Sequence, residues 1–106
     1  MKNENPAVSV LAELFAANAK TIRARVASIA FCNLTGSELD ELGPDTCTAS
    51  VARRPELLQH LGMFHRGVSA YLVDHATMVA AATIVKPGQR VRTAEYKLNL
   101  LVPAAD

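Results

Sequence analysis

The segment that most constrains the fold of this chain is residues 67–85, which would be apolar around nearly the whole circumference of a helix. Its nineteen residues approach the length of a membrane span. Asp74 and His75 lie near its middle, however, and Lys-Pro-Gly at residues 86–88 ends it. A helix that is apolar on all sides must be surrounded by protein. We therefore expect a buried central helix over about residues 66–85, and no membrane association.

Length and composition restrict the remaining choices. The chain has 106 residues, which predicts a single domain over residues 1–106. Half of the residues are hydrophobic, and this fraction argues against intrinsic disorder. The net charge is +1 and tryptophan is absent, so neither a charge-driven nucleic-acid surface nor a base-stacking platform is expected.

Three further patterns surround the central helix. Apolar residues recur at three- and four-residue steps over residues 6–26, which predicts an additional N-terminal helix. Residues 34–42 and 47–51 predict a pair of strands joined at Gly43-Pro44-Asp45, and residues 90–102 alternate as a long strand that stops at Pro103. A curved antiparallel sheet around one helix is the economical way to combine these elements. The expected fold class is α+β.

The two cysteines predict little chemistry of their own. Cys32 and Cys47 stand in no CxxC motif and in no Cys/His pattern with zinc spacing, so no metal is expected. We interpret them as packed, reduced thiols of a cytoplasmic protein. The N-terminal residues do not resemble a signal peptide.

Asp74 is the first candidate for chemistry, because an ionised carboxylate in an apolar helix costs several kcal/mol unless it is paired or lines a cavity. It is either a general base or nucleophile in a cleft, or part of a solvated or ion-paired helix face. The helix start at residues 62–67 is the second candidate. Its first backbone N–H groups are unpaired and can hold an oxyanion, or they form an ordinary helix start.

These two candidates are too far apart to act together within one chain. Arg66 and Asp74 are eight residues apart, or about 12 Å along a helix. If both act on one substrate, the helix start of one chain must face Asp74 of another. The spacing therefore predicts a dimer with twofold symmetry.

Three motifs carry a family resemblance: H-R-G at residues 65–67, L-V-D at 72–74 and T-A-E-Y-K-L-N-L-L-V-P-A at 93–104. Together they resemble the hot-dog fold acyl-CoA thioesterases, and among these the phenylacetate-pathway (PaaI-like) branch. The resemblance covers about residues 26–105. In that family an acidic residue follows the second glycine by seven positions, as Asp74 follows Gly67 here. It implies a hot-dog fold, in which an antiparallel sheet wraps around the helix at 66–85.

The resemblance also implies roles for individual residues. Asp74 would be the catalytic carboxylate, and the N–H of Arg66 or Gly67 would polarise the thioester carbonyl. Gln59 would help to place the substrate or water, and Thr93 would assist the attacking water. The residues expected beside the substrate are His65, which also orients the helix start, Gly62, and His60, for which plain exposure is the alternative.

The activity implied is hydrolysis of an acyl- or aryl-acyl-CoA to the free acid and coenzyme A, without a cofactor, in a homodimer or a dimer of dimers. Two departures stand out. Arg66 replaces the usual first glycine, and the family's two further C-terminal strands have no counterpart before Asp106. The chain is then a fragment, a truncated product or a shortened variant.

The alternative is a catalytically silent hot-dog protein that binds acyl-CoA or pairs with a full-length relative. A hot-dog dehydratase fits less well, because it needs a catalytic histidine paired with an acid across the site.

Overall fold

The computed structural model describes residues 6–93 and 95–105, and side chains from Ser9 onward. It shows a small α+β fold with helices and a two-stranded antiparallel sheet. The elements in chain order are α1 (Pro6–Ser28), α2 (Ala30–Thr35), β1 (Glu38–Gly43), β2 (Thr46–Ser50), a short 3-10 helix (Pro55–Leu57) and α3 (Arg66–Ala82).

The predicted N-terminal helix is confirmed, and α1 extends two residues beyond the expected end. Its inward face buries Ile22. The Asn18 side chain donates hydrogen bonds to the carbonyls of Thr83 (3.1 Å) and Val85 (3.0 Å), just beyond the end of α3. Carbonyls at a helix end have no partner within the helix, so these bonds both satisfy them and fix α1 against α3.

The predicted strand pair is also present, with a later start. Residues 34 and 35 belong to the end of α2, and Gly36 terminates this helix in the left-handed conformation (φ 74°). The register of β1 and β2 pairs Leu39 with Ala49 and Leu42 with Cys47, with an irregularity between Leu39 and Glu41. The hairpin turn places Asp45 at φ 57°, a conformation that aspartate tolerates better than most residues.

One face of β2 lies against α3. Cys47 and Ala49 are half-buried, whereas Thr46, Thr48 and Ser50 are exposed. The alternation expected for this strand is therefore confirmed. The Cys47 thiol donates to the carbonyl of Ala76 in α3 (3.1 Å), which ties the hairpin to the helix.

The central helix is present over Arg66–Ala82, but the expectation that it would be buried on all sides is wrong. Val79 is its one buried residue, and most of its other apolar side chains are half-buried. The reason is geometric: a two-stranded sheet covers one side of a helix, and α1 contacts only part of another. No helix among the described residues has the length and hydrophobicity needed to cross a membrane.

The long strand expected over residues 90–102 is not formed. Residues 90–93 and 95–105 contain no strand, because their backbone does not pair with the hairpin. The end of this segment is held near the start of α3 instead. There Phe64 N–H donates to the Ala104 carbonyl (2.8 Å), and the Arg53 guanidinium donates to the Ala105 carbonyl (2.7 Å). An alternating pattern predicts a strand only where a partner strand is within reach.

Candidate active site

Asp74 lies near the middle of α3 and is half-buried. The Thr93 hydroxyl donates a hydrogen bond to its Oδ1 at 2.5 Å, across nineteen residues of sequence. The helix fixes the carboxylate, and the segment after α3 returns along the helix to bring the hydroxyl to it. Two residues predicted to act on the same water molecule are thus in direct contact.

The carboxylate lines a groove of about 440 Å³ between α1 and α3. Its walls are mainly apolar, and the polar side chains include Asp74, His75, Arg25 and Arg90. The apolar residues of the wall are Ile22, Val26, Ile29, Met78, Val79, Ala82, Val85 and Val91. A carboxylate at the side of an apolar groove can act on an apolar ligand that carries one reactive polar group.

The start of α3 is organised by His65, which is the N-cap residue. Its Nδ1 accepts a hydrogen bond from Gly67 N–H (2.8 Å), and its carbonyl accepts one from Val68 N–H (2.9 Å). Among the described residues, no acceptor lies within hydrogen-bond reach of Arg66 N–H. Of the two amides considered for the oxyanion, the Gly67 N–H therefore already donates a hydrogen bond, whereas the Arg66 N–H does not.

Glycine at position 67 has a packing reason. A Cβ there would lie 2.9 Å from Nδ1 of His65, closer than real Cβ contacts allow. The absence of a side chain lets the imidazole fold over the first turn and cap it. His65 thus orients the helix start, as expected.

The Gln59 side chain makes local hydrogen bonds that the sequence did not predict. Its side-chain oxygen accepts hydrogen bonds from the N–H groups of Leu61 (2.5 Å) and Met63 (3.3 Å), so it holds its own loop. Gly62 lies in the same loop at φ 84°, and its N–H donates to the Gln59 carbonyl (3.0 Å). Both residues shape the loop before α3. The side-chain Oε1 of Gln59 is used by this loop, so the predicted contact with substrate or water falls to its side-chain Nε2.

The predicted residues therefore fall into two groups. Asp74 and Thr93 are in contact beside the α1–α3 groove. Gln59, His60, His65 and Arg66 line a second cavity, of about 470 Å³, which the C-terminal segment at residues 100–104 closes on one side. Arg66 and Asp74 are eight positions apart in α3, so the two groups lie about 12 Å apart along one helix.

The sequence did not predict a polar cluster that lies beside the groove. The Tyr71 hydroxyl donates to the Cys32 sulfur (3.2 Å) and shares a hydrogen bond with the Ser37 hydroxyl (2.7 Å). His75 stacks on the Tyr71 ring, with its Nε2 3.9 Å from the Cys32 sulfur. Cys32 and His75 are forty-three positions apart, so only the four-residue spacing of Tyr71 and His75 was visible in the sequence.

Burial sets the protonation of this cluster. It lowers the pKa of His75, an effect that the charge of Asp74 partly offsets. It raises the pKa of Tyr71, and the hydrogen bond with Cys32 raises it further. Both shifts favour the neutral forms of His75 and Tyr71 at neutral pH.

Both cysteines are free thiols, and burial raises the pKa of Cys47. No group of three or more metal-binding side chains occurs in the described part of the chain. Comparison with protein-family models, with curated proteins and with solved structures found no match for this chain.

Proposed function

We propose that this chain is a thioester hydrolase of the hot-dog type, which cleaves an acyl- or aryl-acyl-CoA to the free acid and coenzyme A. The observation that carries the proposal is the hydrogen bond between Thr93 and Asp74 at the side of an apolar groove. A carboxylate, a hydroxyl and an apolar wall are what hydrolysis of an acyl thioester requires at one place.

Asp74 acts on the thioester carbon in one of two ways. As a general base it takes a proton from water, whose oxygen attacks the carbonyl carbon. As a nucleophile it attacks directly and forms a mixed anhydride that water then hydrolyses. Either way the carbon–sulfur bond breaks, its electron pair leaves with the sulfur as a thiolate, and a proton derived from the water completes the thiol of coenzyme A. Thr93 orients the carboxylate through Oδ1, which leaves Oδ2 for the reacting group.

The negative charge that develops on the carbonyl oxygen needs a donor. Arg66 N–H, at the first position of α3, makes no hydrogen bond with any described residue. The helix dipole adds positive potential at the same place. Because the Gly67 N–H donates to His65 Nδ1, we assign the oxyanion to Arg66 N–H.

The 12 Å between Arg66 and Asp74 means that a complete site takes Asp74 from one chain and Arg66 N–H from a second. The size of the monomer surface supports this pairing. The chain exposes 7838 Å², against about 5,700 Å² for a compact monomer of its mass. The excess is of the order that a stable protein–protein interface buries.

The direct test is coenzyme A release from a panel of aryl-acyl and medium-chain acyl-CoA substrates. We expect Asp74→Asn to lower the rate about 100-fold or more, because the amide cannot accept the proton. Asp40→Asn, an exposed carboxylate of β1, is the matched control and should keep the full rate. Release should be followed without thiol reagents, since Cys32 and Cys47 are free. Equal rates for the two variants would refute the role of Asp74.

A second function is favoured by the sheet. Two strands leave most of α3 half-buried, which suits a protein that binds acyl-CoA or pairs with a longer relative without catalysis. In that case the folded chain releases no coenzyme A from any substrate of the panel, yet still binds a non-hydrolysable acyl-CoA analogue.

A further inference from the structure

A cavity of about 580 Å³, distinct from the Asp74 groove, lies between α2, the 3-10 helix and the start of α3. Its walls are largely apolar and come from three parts of the chain that are distant in sequence. The apolar and aromatic wall residues are Phe31, Leu34, Leu57, Leu58, Val68 and Tyr71. Phe31 and Tyr71 meet edge to face, with ring centroids 4.8 Å apart.

The mouth of this cavity exposes large apolar side chains. Leu34 is 70% exposed and Phe31 is 51% exposed. Both belong to α2, a helix of six residues. Exposed apolar side chains beside a cavity gain free energy when an apolar ligand covers them. The shape and the walls therefore suit a ligand with an apolar body.

One side chain of the wall carries a positive charge without a counter-charge. The half-buried Arg54 guanidinium donates from Nη2 to the Leu34 carbonyl (2.7 Å), while its Nε is buried and has no hydrogen-bond partner. No carboxylate of the described residues forms an ion pair with it. A cation that is partly withdrawn from water, with unused donors, favours an anionic ligand.

Two neighbours limit the charge of that anion. Glu56 also lines the cavity and is exposed, so it would repel a ligand that carries several negative charges. His65 lines the cavity as well, and because its Nδ1 accepts from Gly67 N–H, its Nε2 carries the ring proton and is a neutral donor. A single carboxylate satisfies these conditions better than a phosphate does.

We infer that this cavity binds a small monocarboxylic acid with an apolar, preferably aromatic, body, whose carboxylate pairs with Arg54. This inference does not depend on the proposed hydrolysis, because none of Asp74, Thr93 and Arg66 lines the cavity. His65 and Gly67 of the same helix start do line it, but their hydrogen bond to each other keeps the Gly67 N–H out of the proposed oxyanion site. The apolar body lies against Phe31, Leu57 and Val68.

The test compares 3-phenylpropionate with 3-phenylpropan-1-ol, its uncharged counterpart, in NMR titrations of the ¹⁵N-labelled chain. We expect the acid to bind at least about tenfold more tightly than the alcohol, since a charge-assisted pair contributes that much. The shifted amides should include Thr35, Leu57 and Val68. Equal binding of acid and alcohol, or no saturable binding of the acid up to about 10 mM, would overturn the inference.

Variants locate the site. Arg54→Gln should weaken binding of the acid about tenfold, to the level of the alcohol. Arg53→Gln makes the same change of charge one residue away, outside the cavity, and should change the affinity less than about twofold. Asp74→Asn should also leave it unchanged, which separates this site from the proposed active site. Equal losses of affinity in Arg53→Gln and Arg54→Gln would contradict a specific ion pair between the acid and Arg54. If Arg54→Gln does not fold, the comparison of acid with alcohol on the unaltered chain decides.

Discussion

At the scale of single residues, the contact between Thr93 and Asp74 is one that the sequence could predict only through a family resemblance. Nothing in the local pattern joins two residues nineteen positions apart. Gln59 illustrates the opposite case: its residue type suits a substrate contact, but the loop before α3 uses its side-chain oxygen for two backbone N–H groups. Local hydrogen bonding competes with function for polar side chains, and spacing in the sequence does not reveal which one prevails.

His75 makes stability depend on pH. Burial lowers its pKa in the folded chain below the ordinary value of about 6.5, so the unfolded chain binds the proton more readily. Its contribution to stability is therefore full above pH 6.5 and is lost as the pH falls through the lowered folded pKa. Thermal unfolding between pH 7.5 and 5 should show a falling melting temperature, with a shallower fall in His75→Gln. His60→Gln, an exposed control, should keep the full slope; identical slopes in all three chains would contradict this prediction.

At the scale of elements, local periodicity predicted α1 and α3 well, missed α2 and predicted the strands unevenly. The alternation of Cys47 and Ala49 with exposed neighbours is confirmed, because a two-residue turn brings β1 to β2. The same alternation over residues 90–102 failed, because a strand also needs a partner, which the sequence pattern does not supply. The bounds of α1 and α3 lie within a few residues of those expected.

The end of α3 holds the elements together through Thr83, which is fully buried. Its hydroxyl donates to the Ala80 carbonyl (2.6 Å) and accepts from Asp45 N–H in the hairpin turn (2.7 Å). Thr83→Val would leave that N–H unpaired, and we expect a loss of about 1–3 kcal/mol in the free energy of unfolding. Thr77→Val, an exposed position on the same helix, is the control and should cost less than about 0.5 kcal/mol. Urea denaturation measures the free energy of unfolding of both variants. Similar losses in the two would contradict a special role of Thr83.

At the scale of the whole molecule, the monomer is more open than a chain of this length usually is. Its radius of gyration is 16.1 Å, against about 13 Å for a compact domain. Leu101 and Val102 are 89% and 81% exposed. The dimer that we propose would cover these apolar side chains and would complete the site divided between Arg66 and Asp74.

We therefore expect light scattering after gel filtration to give twice the 11.3 kDa chain mass, or a multiple of that dimer, at micromolar concentration. Burial of the excess apolar surface is the driving force. Urea below the unfolding midpoint should dissociate the assembly before α1 and α3 melt. A single species of 11.3 kDa across the concentration range would contradict the pairing.

The most direct test of a site shared between chains is complementation between two inactive variants. Asp74→Asn lacks the carboxylate, and Arg66→Pro lacks the oxyanion N–H, at a helix position that accepts proline and follows an extended residue. Arg66→Ala keeps the N–H and should stay active. Mixing the two inactive chains after denaturation and refolding should restore about a quarter of the wild-type rate. The reason is that half of the dimers are hybrids and each hybrid has one intact site. Hybrid dimers that form without any recovered coenzyme A release would contradict a site shared between chains.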